Sequence, residues 1–129
     1  MAVRGVRGAI TVKKNERDDI IFGTEMLLEK MVSTNKIKVE DIASIIFSVT
    51  SDLTKEFPAV AAREMGWLYT PLMCTNEINI DGSLKKCIRA LIYVNTDKKQ
   101  SEIKHVYLED AQKLRPDLSS EKKGEFYIS

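Results

Sequence analysis

The sequence predicts an α/β or α+β fold: one mixed β-sheet flanked by helices, in a single domain over residues 1–129. Three observations predict it. Strand-like and helix-like stretches alternate loosely, giving three or four strands and two helices. The run from Ile42 to Thr50 is almost continuously apolar and rich in β-branched residues, which favours a strand buried on both faces. The run from Cys87 to Thr96 alternates cleanly. Ile88, Ala90, Ile92 and Val94 share one face; Arg89, Leu91, Tyr93 and Asn95 share the other. A chain of 129 residues suits one domain with a real core. Helices are expected over one face of the sheet, so the other face needs a cover. If no second helix layer supplies it, another subunit is the natural candidate.

The first element is a strand from Val3 to Lys13, with Val6, Ile10 and Val12 on one face and Arg7, Ala9 and Thr11 on the other. Gly5 and Gly8 bracket Arg7, and glycine inside a strand marks a bulge or a close approach. Arg7 itself reads equally well as a solvated strand residue. Asn15 is placed to cap the helix that follows, with Glu16, Asp18 and Asp19 at its positive end. In that helix Ile20, Thr24, Leu27, Leu28 and Met31 recur at helical spacing, and Ile21 and Val32 widen the stripe. Ser33-Thr34-Asn35 ends it. Val39-Glu40-Asp41 reads as a connection of one turn, leading into the Ile42–Thr50 strand and its polar end, Thr50-Ser51-Asp52. Phe57 to Gly66 is a short helix, with proline near its start and glycine as its stop. Trp67 to Met73 reads as a short, edge-like strand interrupted by Pro71. Asp81-Gly82-Ser83 is a turn before the alternating strand. Ser101 is expected to cap a short turn through Lys104, His105 to Leu108 is a short strand, and Leu114 to Leu118 is turn-rich. The charged tail, about residues 119–129, is expected to be mobile.

Composition excludes several function classes. Twenty basic and 19 acidic residues leave a net charge of +1, so nothing pushes the chain toward nucleic acid or an acidic membrane. No apolar run approaches the ~20 residues needed to span a bilayer, and the N-terminus has no signal-like core. A cytoplasmic protein with reduced thiols is expected. Cys74 and Cys87 are the only cysteines and His105 the only histidine, which does not make a zinc site. A disulfide between the two cysteines stays open at this point. There is no phosphate-binding loop, no dinucleotide fingerprint and no serine triad signature.

The stretch from Cys74 to Arg89 carries the most chemistry. Cys74-Thr75-Asn76-Glu77 is a polar cluster with one thiol and one carboxylate, and a glycine turn then leads to Arg89 inside an apolar strand. An arginine there is either paired with an acid or waiting for an anion. Arg7, Arg63, Arg89 and Arg115 all lie near turns or glycines, joined by Glu77, Cys74 and Tyr107. Many guanidinium groups and few acid–base groups suit a small polyanion such as a dicarboxylate, gripped in bidentate fashion. Two further readings stay open: a binder of such an anion without turnover, and a thiol or acid–base enzyme using Cys74 or His105.

The residues also carry a family resemblance. Its pieces are Val3-Arg4-Gly5-Val6-Arg7-Gly8-Ala9, Phe57-Pro58-Ala59 with Ala62-Arg63-Glu64, Gly66-Trp67, Pro71-Leu72 with Cys74, Glu77-Ile78, Gly82-Ser83-Leu84 with Cys87-Ile88-Arg89, His105 to Glu109, and Leu114 to Leu118. In this order and at this spacing the chain resembles the small chorismate mutases of the Bacillus type, the trimeric class unrelated to the all-helical one. The resemblance implies a homotrimer whose sheets pack into a pseudo α/β-barrel. It implies rearrangement of chorismate to prephenate without cofactor or metal, at sites on the subunit interfaces. One chain would supply Arg7, Cys74, Glu77, Arg89 and Tyr107. Its neighbour would supply Phe57, Ala59, Arg63, Leu114 and Arg115, and backbone from Met73 through Thr75 and Asn76 to Glu77 would line the pocket. Val60 and Met73 depart from the residues common at those places in the family.

Overall fold

A computed structural model describes residues 1–114 and the backbone of Glu125–Ile128. Six strands form one sheet: β1 (Ala2–Thr11), β2 (Ile42–Val49), β3 (Leu72–Asn76), β4 (Cys87–Thr96), β5 (His105–Leu108) and β6 (Glu125–Ile128). Their order is β3-β2-β4-β1-β5-β6. The sheet is mixed. β4 runs antiparallel to both β1 and β2, while β5 is parallel to β1 and β3 is parallel to β2. Two α-helices, α1 (Arg17–Thr34) and α2 (Ala59–Glu64), pack on one face.

The core lies between that face and the helices. Val6 and Ile10 of β1, Ile45 and Phe47 of β2, Ile88 and Ile92 of β4, and Val106 and Leu108 of β5 meet Ile20, Leu27, Leu28 and Met31 of α1. The stripe expected on α1 is the buried one. Gly8 explains how closely α1 sits. A Cβ there would stand 2.4 Å from the Met31 sulfur, far inside contact distance.

The opposite face is largely open in a single chain, except at one end, where Ala9, Cys87 and Tyr107 are buried with Ala111. Met73 and Val3 on it are exposed, and Ile46, Leu91 and Tyr93 are half-buried. The strand β2 is therefore covered on one side only, not on both as its apolar run predicts: Ser44, Ile46 and Ser48 point to the open face. Apolar content cannot tell a second helical layer from another protein surface.

Four local expectations are corrected. Asn15 does not cap α1; Glu16 stands at that position with no side-chain cap, and Asn15 instead exchanges two hydrogen bonds with Thr54, both 2.9 Å. The third strand is Leu72–Asn76 rather than Trp67–Met73, because Pro71 precedes the strand instead of interrupting it. α2 is shorter than expected at both ends, starting after Pro58 and stopping before Gly66, whose φ is +89°. The turn near Ser101 is a 3₁₀ segment, Gln100–Glu102, closed by the Glu102 carboxylate accepting from the Lys99 N–H at 2.8 Å. The expected tail lies outside the described residues apart from β6, whose backbone pairs with β5.

Candidate active site

Strand register gathers three of the expected residues, Tyr107, Arg89 and Thr75, into one row on the open face. Ala9 of β1 pairs with Arg89 on one side and with Tyr107 on the other. Arg89 in turn pairs with Ser48, and Ser48 with Thr75. The row Tyr107–Ala9–Arg89–Ser48–Thr75 therefore crosses five strands. Arg7 lies in the next row, paired with Leu91. Its backbone N–H donates to His105 Nδ1 at 2.9 Å, which braces β1 against the start of β5. His105 thus links two neighbouring strands.

Glu77 follows β3 directly. Its N–H donates to the Val49 carbonyl at 2.8 Å, which carries the strand's direction one residue further. The Glu77 carboxylate then reaches the row. Its Oε2 lies 3.5 Å from Arg89 Nε, and the Ser48 hydroxyl donates to that same oxygen at 2.6 Å. Both charged side chains are largely covered, with 29% of Arg89 and 26% of Glu77 exposed. Arg89 Nε is buried and makes no hydrogen bond among the described residues. Such a donor in a low-dielectric setting costs free energy unless a ligand completes it.

Beside Arg89 lies a small second core of Ala9, Cys87, Tyr107 and Ala111, with Leu84 and Leu114 packed against it. Leu114 thus sits with the Arg89 row of its own chain. Burial pushes the Cys87 thiol up from its ordinary pKa, and the neighbouring Arg89 guanidinium only partly offsets this. Cys87 is a packing residue.

The start of β4 is held by a polar latch. Asp52 accepts the Lys86 N–H with both oxygens, at 3.1 and 2.9 Å, and Thr50 Oγ1 accepts the Cys87 N–H at 3.0 Å. The Thr50 hydroxyl donates to Asp52 at 2.5 Å. Lys86 needs this support because its φ is +50°. Three residues further on, the strand presents Arg89.

Cys74 belongs to a different group. It pairs with Phe47 and shares that residue's helix-facing side of the sheet, away from Arg89. Burial raises its pKa, opposed by the Ala59 N–H and the charge of Arg63. At neutral pH it is a thiol, not a nucleophilic thiolate. Phe57, Pro58, Cys74, Thr75 and Asn76 line a cleft of about 330 Å³ here. Phe57 is 66% exposed. Arg17 steadies this corner, donating to Glu56 at 3.1 Å and Glu64 at 2.9 Å. A larger cavity of about 830 Å³, between the start of α1 and the end of β1, holds none of the expected site residues. Both cysteines are free, and among the described residues no three His, Cys, Asp or Glu side chains gather as metal ligands. Nor is any helix among them long and apolar enough to cross a membrane. Arg115 lies outside the described residues.

Ser48 is the polar residue that sequence reasoning left without a role, while Thr50 and Asp52, read as the polar end of a strand, hold the start of β4. One signal pointed to Ser48: it interrupts an apolar run on the side opposite Phe47.

A mixed sheet with arginines and a paired carboxylate on its open face defines the class: a small α+β protein with charged side chains gathered on one sheet face. Comparison with known proteins gives the family. The family model described as chorismate mutase type I matches residues 3–118. Chorismate mutase AroH of Bacillus subtilis (strain 168) is 47% identical over 126 residues, covering 97% of this chain and 99% of the relative. Chorismate mutase AroH of Thermus thermophilus is 48% identical over 119 residues, covering 92% and 98%. Among solved structures, chorismate mutase from Clostridium thermocellum is similar at 54% identity and a TM-score of 0.83, over 84% of this chain and 96% of that one. The chain belongs to the type I chorismate mutase family.

Proposed function

We propose that this enzyme rearranges chorismate to prephenate between two half-sites brought together by a trimer. The reaction follows from the family: the protein is an isomerase of phenylalanine and tyrosine biosynthesis. The single observation that carries the site assignment is the Arg89–Glu77 pair, with a buried guanidinium N–H that lacks a hydrogen bond among the described residues.

In the rearrangement the ether C–O bond breaks as a new C–C bond forms. No atom enters or leaves. Negative charge grows on the ether oxygen as the bond lengthens. Arg89 donates there, and that hydrogen bond is strongest in the transition state, so it raises rate rather than affinity alone. Glu77 accepts from the ring hydroxyl. Arg7 and Tyr107 hold a substrate carboxylate. Leu114, packed near Tyr107, shapes the apolar side of this half.

The second half-site comes from the neighbouring chain: Phe57, Ala59, Arg63 and Cys74, with Arg115 completing it. Cys74 moves into this half because it sits beside Ala59 and Arg63. It contributes a weak polar contact. The backbone of Met73, Thr75 and Asn76 lines the pocket. Phe57 favours the compact substrate conformer, so much of the catalysis is placement. Chorismate is the small-molecule partner, no cofactor or metal takes part, and the enzyme works in the cytoplasm.

The test is purified protein with chorismate and a metal chelator. Chorismate is expected to disappear well above its uncatalysed rate while prephenate accumulates in equal amount. Loss at the uncatalysed rate from folded protein rejects the reading.

A further inference from the structure

We propose that Ser48 is a positioning residue that holds the Glu77 carboxylate off Arg89 and so keeps the guanidinium available to the substrate. The inference rests on the chorismate mutase reading above and adds a residue to it.

The geometry carries the argument. Glu77 Oε2 faces two donors, the Ser48 hydroxyl at 2.6 Å and Arg89 Nε at 3.5 Å. The first distance is that of a short, charge-assisted O–H···O⁻ hydrogen bond; the second is an ion pair beyond hydrogen-bond length. Ser48 has therefore won the oxygen. Among the described residues no hydrogen bond reaches Glu77 Oε1. One carboxylate oxygen is thus fixed by the protein, and the other is left to accept from a ligand hydroxyl.

Without the Ser48 hydroxyl, the carboxylate has a nearer alternative. Guanidinium and carboxylate form bidentate pairs readily, and the buried Arg89 Nε has no hydrogen bond among the described residues. Closing by less than an ångström would make that pair. Both groups would then satisfy each other instead of the substrate. Strand register explains why a serine can do this. Ser48 lies directly between Arg89 and Thr75 on the open face, one strand from each. Its side chain is short enough to reach the carboxylate without covering the site.

The experiment compares Ser48→Ala, Ser48→Thr and Ser48→Cys, each alone and with Glu77→Ala, by chorismate kinetics and urea unfolding. Ser48→Ala is expected to lower kcat/KM about ten- to a hundredfold, the scale of a lost hydrogen bond to a charged group. The loss falls on kcat as well as KM, because Arg89 is withdrawn from the transition state. Ser48→Thr keeps the hydroxyl and is expected to restore most of the activity. Ser48→Cys keeps the volume with a weak donor and is expected to fall with Ser48→Ala, which preserves the test if the alanine variant folds poorly. In the Glu77→Ala background, removing the hydroxyl is expected to change nothing more. A merely structural serine would instead cost the same with or without Glu77. That result, or Ser48→Ala and Ser48→Cys within twofold of the unmodified enzyme, overturns the proposal. If the unmodified enzyme leaves chorismate untouched, the mutase reading falls first and this inference with it.

Discussion

Arg89 differs from an ordinary surface arginine in how little freedom it keeps. It projects from the central antiparallel pair, is more than two-thirds covered, and faces one carboxylate at ion-pair distance. Burying a charged donor without a hydrogen bond is unfavourable in a resting protein. It is favourable only if something arrives to use it. Lysine at this position would keep the charge but lose the planar fork that addresses two acceptors at once. Arg89→Lys is therefore expected to lower kcat/KM by about a hundredfold or more, in line with the ~3–4 kcal/mol that one transition-state donor supplies. Kinetics beside circular dichroism checks this. A loss under tenfold in folded protein would remove Arg89 from the transition state. Cys74 and Cys87 behave in the opposite sense: burial raises both thiol pKa values, so both stay protonated at neutral pH and neither serves as a nucleophile.

The element that delivers Arg89 is β4, and β4 begins at the Thr50–Asp52 latch. Asp52→Ala would leave the Lys86 N–H without its acceptor at a left-handed backbone position. A destabilisation of about 1–3 kcal/mol is expected from the lost charge-assisted bonds, read as a lower urea midpoint. An unchanged midpoint would mean that water replaces Asp52 at no cost. Elements of this kind also mark where sequence reading works. β4 was legible because its alternation is local, and α1 because its stripe repeats within one helix. Arg89 and Glu77 stood out because charge in an apolar setting is visible along the chain. The latch, Ser48 and the true partner of Asn15 were hidden, since each depends on a residue far away in sequence. The grouping of Cys74 with Arg63 was hidden for a related reason: it turns on which face of β3 the thiol occupies, and that strand was misplaced by the reading of Pro71.

For the whole molecule, the open sheet face is the governing feature. Val3 and Met73 are exposed on it, while Ile46, Leu91 and Tyr93 are only half-covered. An apolar face of this kind marks an interaction surface. The proposed trimer would cover it and would also join the Arg89 half-site of one chain to the Arg63 half-site of the next. Sedimentation is expected to give the mass of three chains. Leu91→Glu places a charge at the centre of the face and is expected to yield smaller species with little activity. Full activity in a monomer would reject the shared site.

The sheet order carries a last consequence, which concerns time. β1 is the first of the described strands to be synthesised, yet it lies between β4 and β5, two strands made much later in the described chain. Ala9 therefore waits for both Arg89 and Tyr107. A growing chain can form α1 early, since its hydrogen bonds are local, but the proposed site row has no partial version. Long-range pairings of this kind close late and slowly. Recovery of activity during refolding thus reports the closing of the sheet's middle, and a nascent chain ending before β5 lacks Tyr107 and has no complete row to offer a substrate.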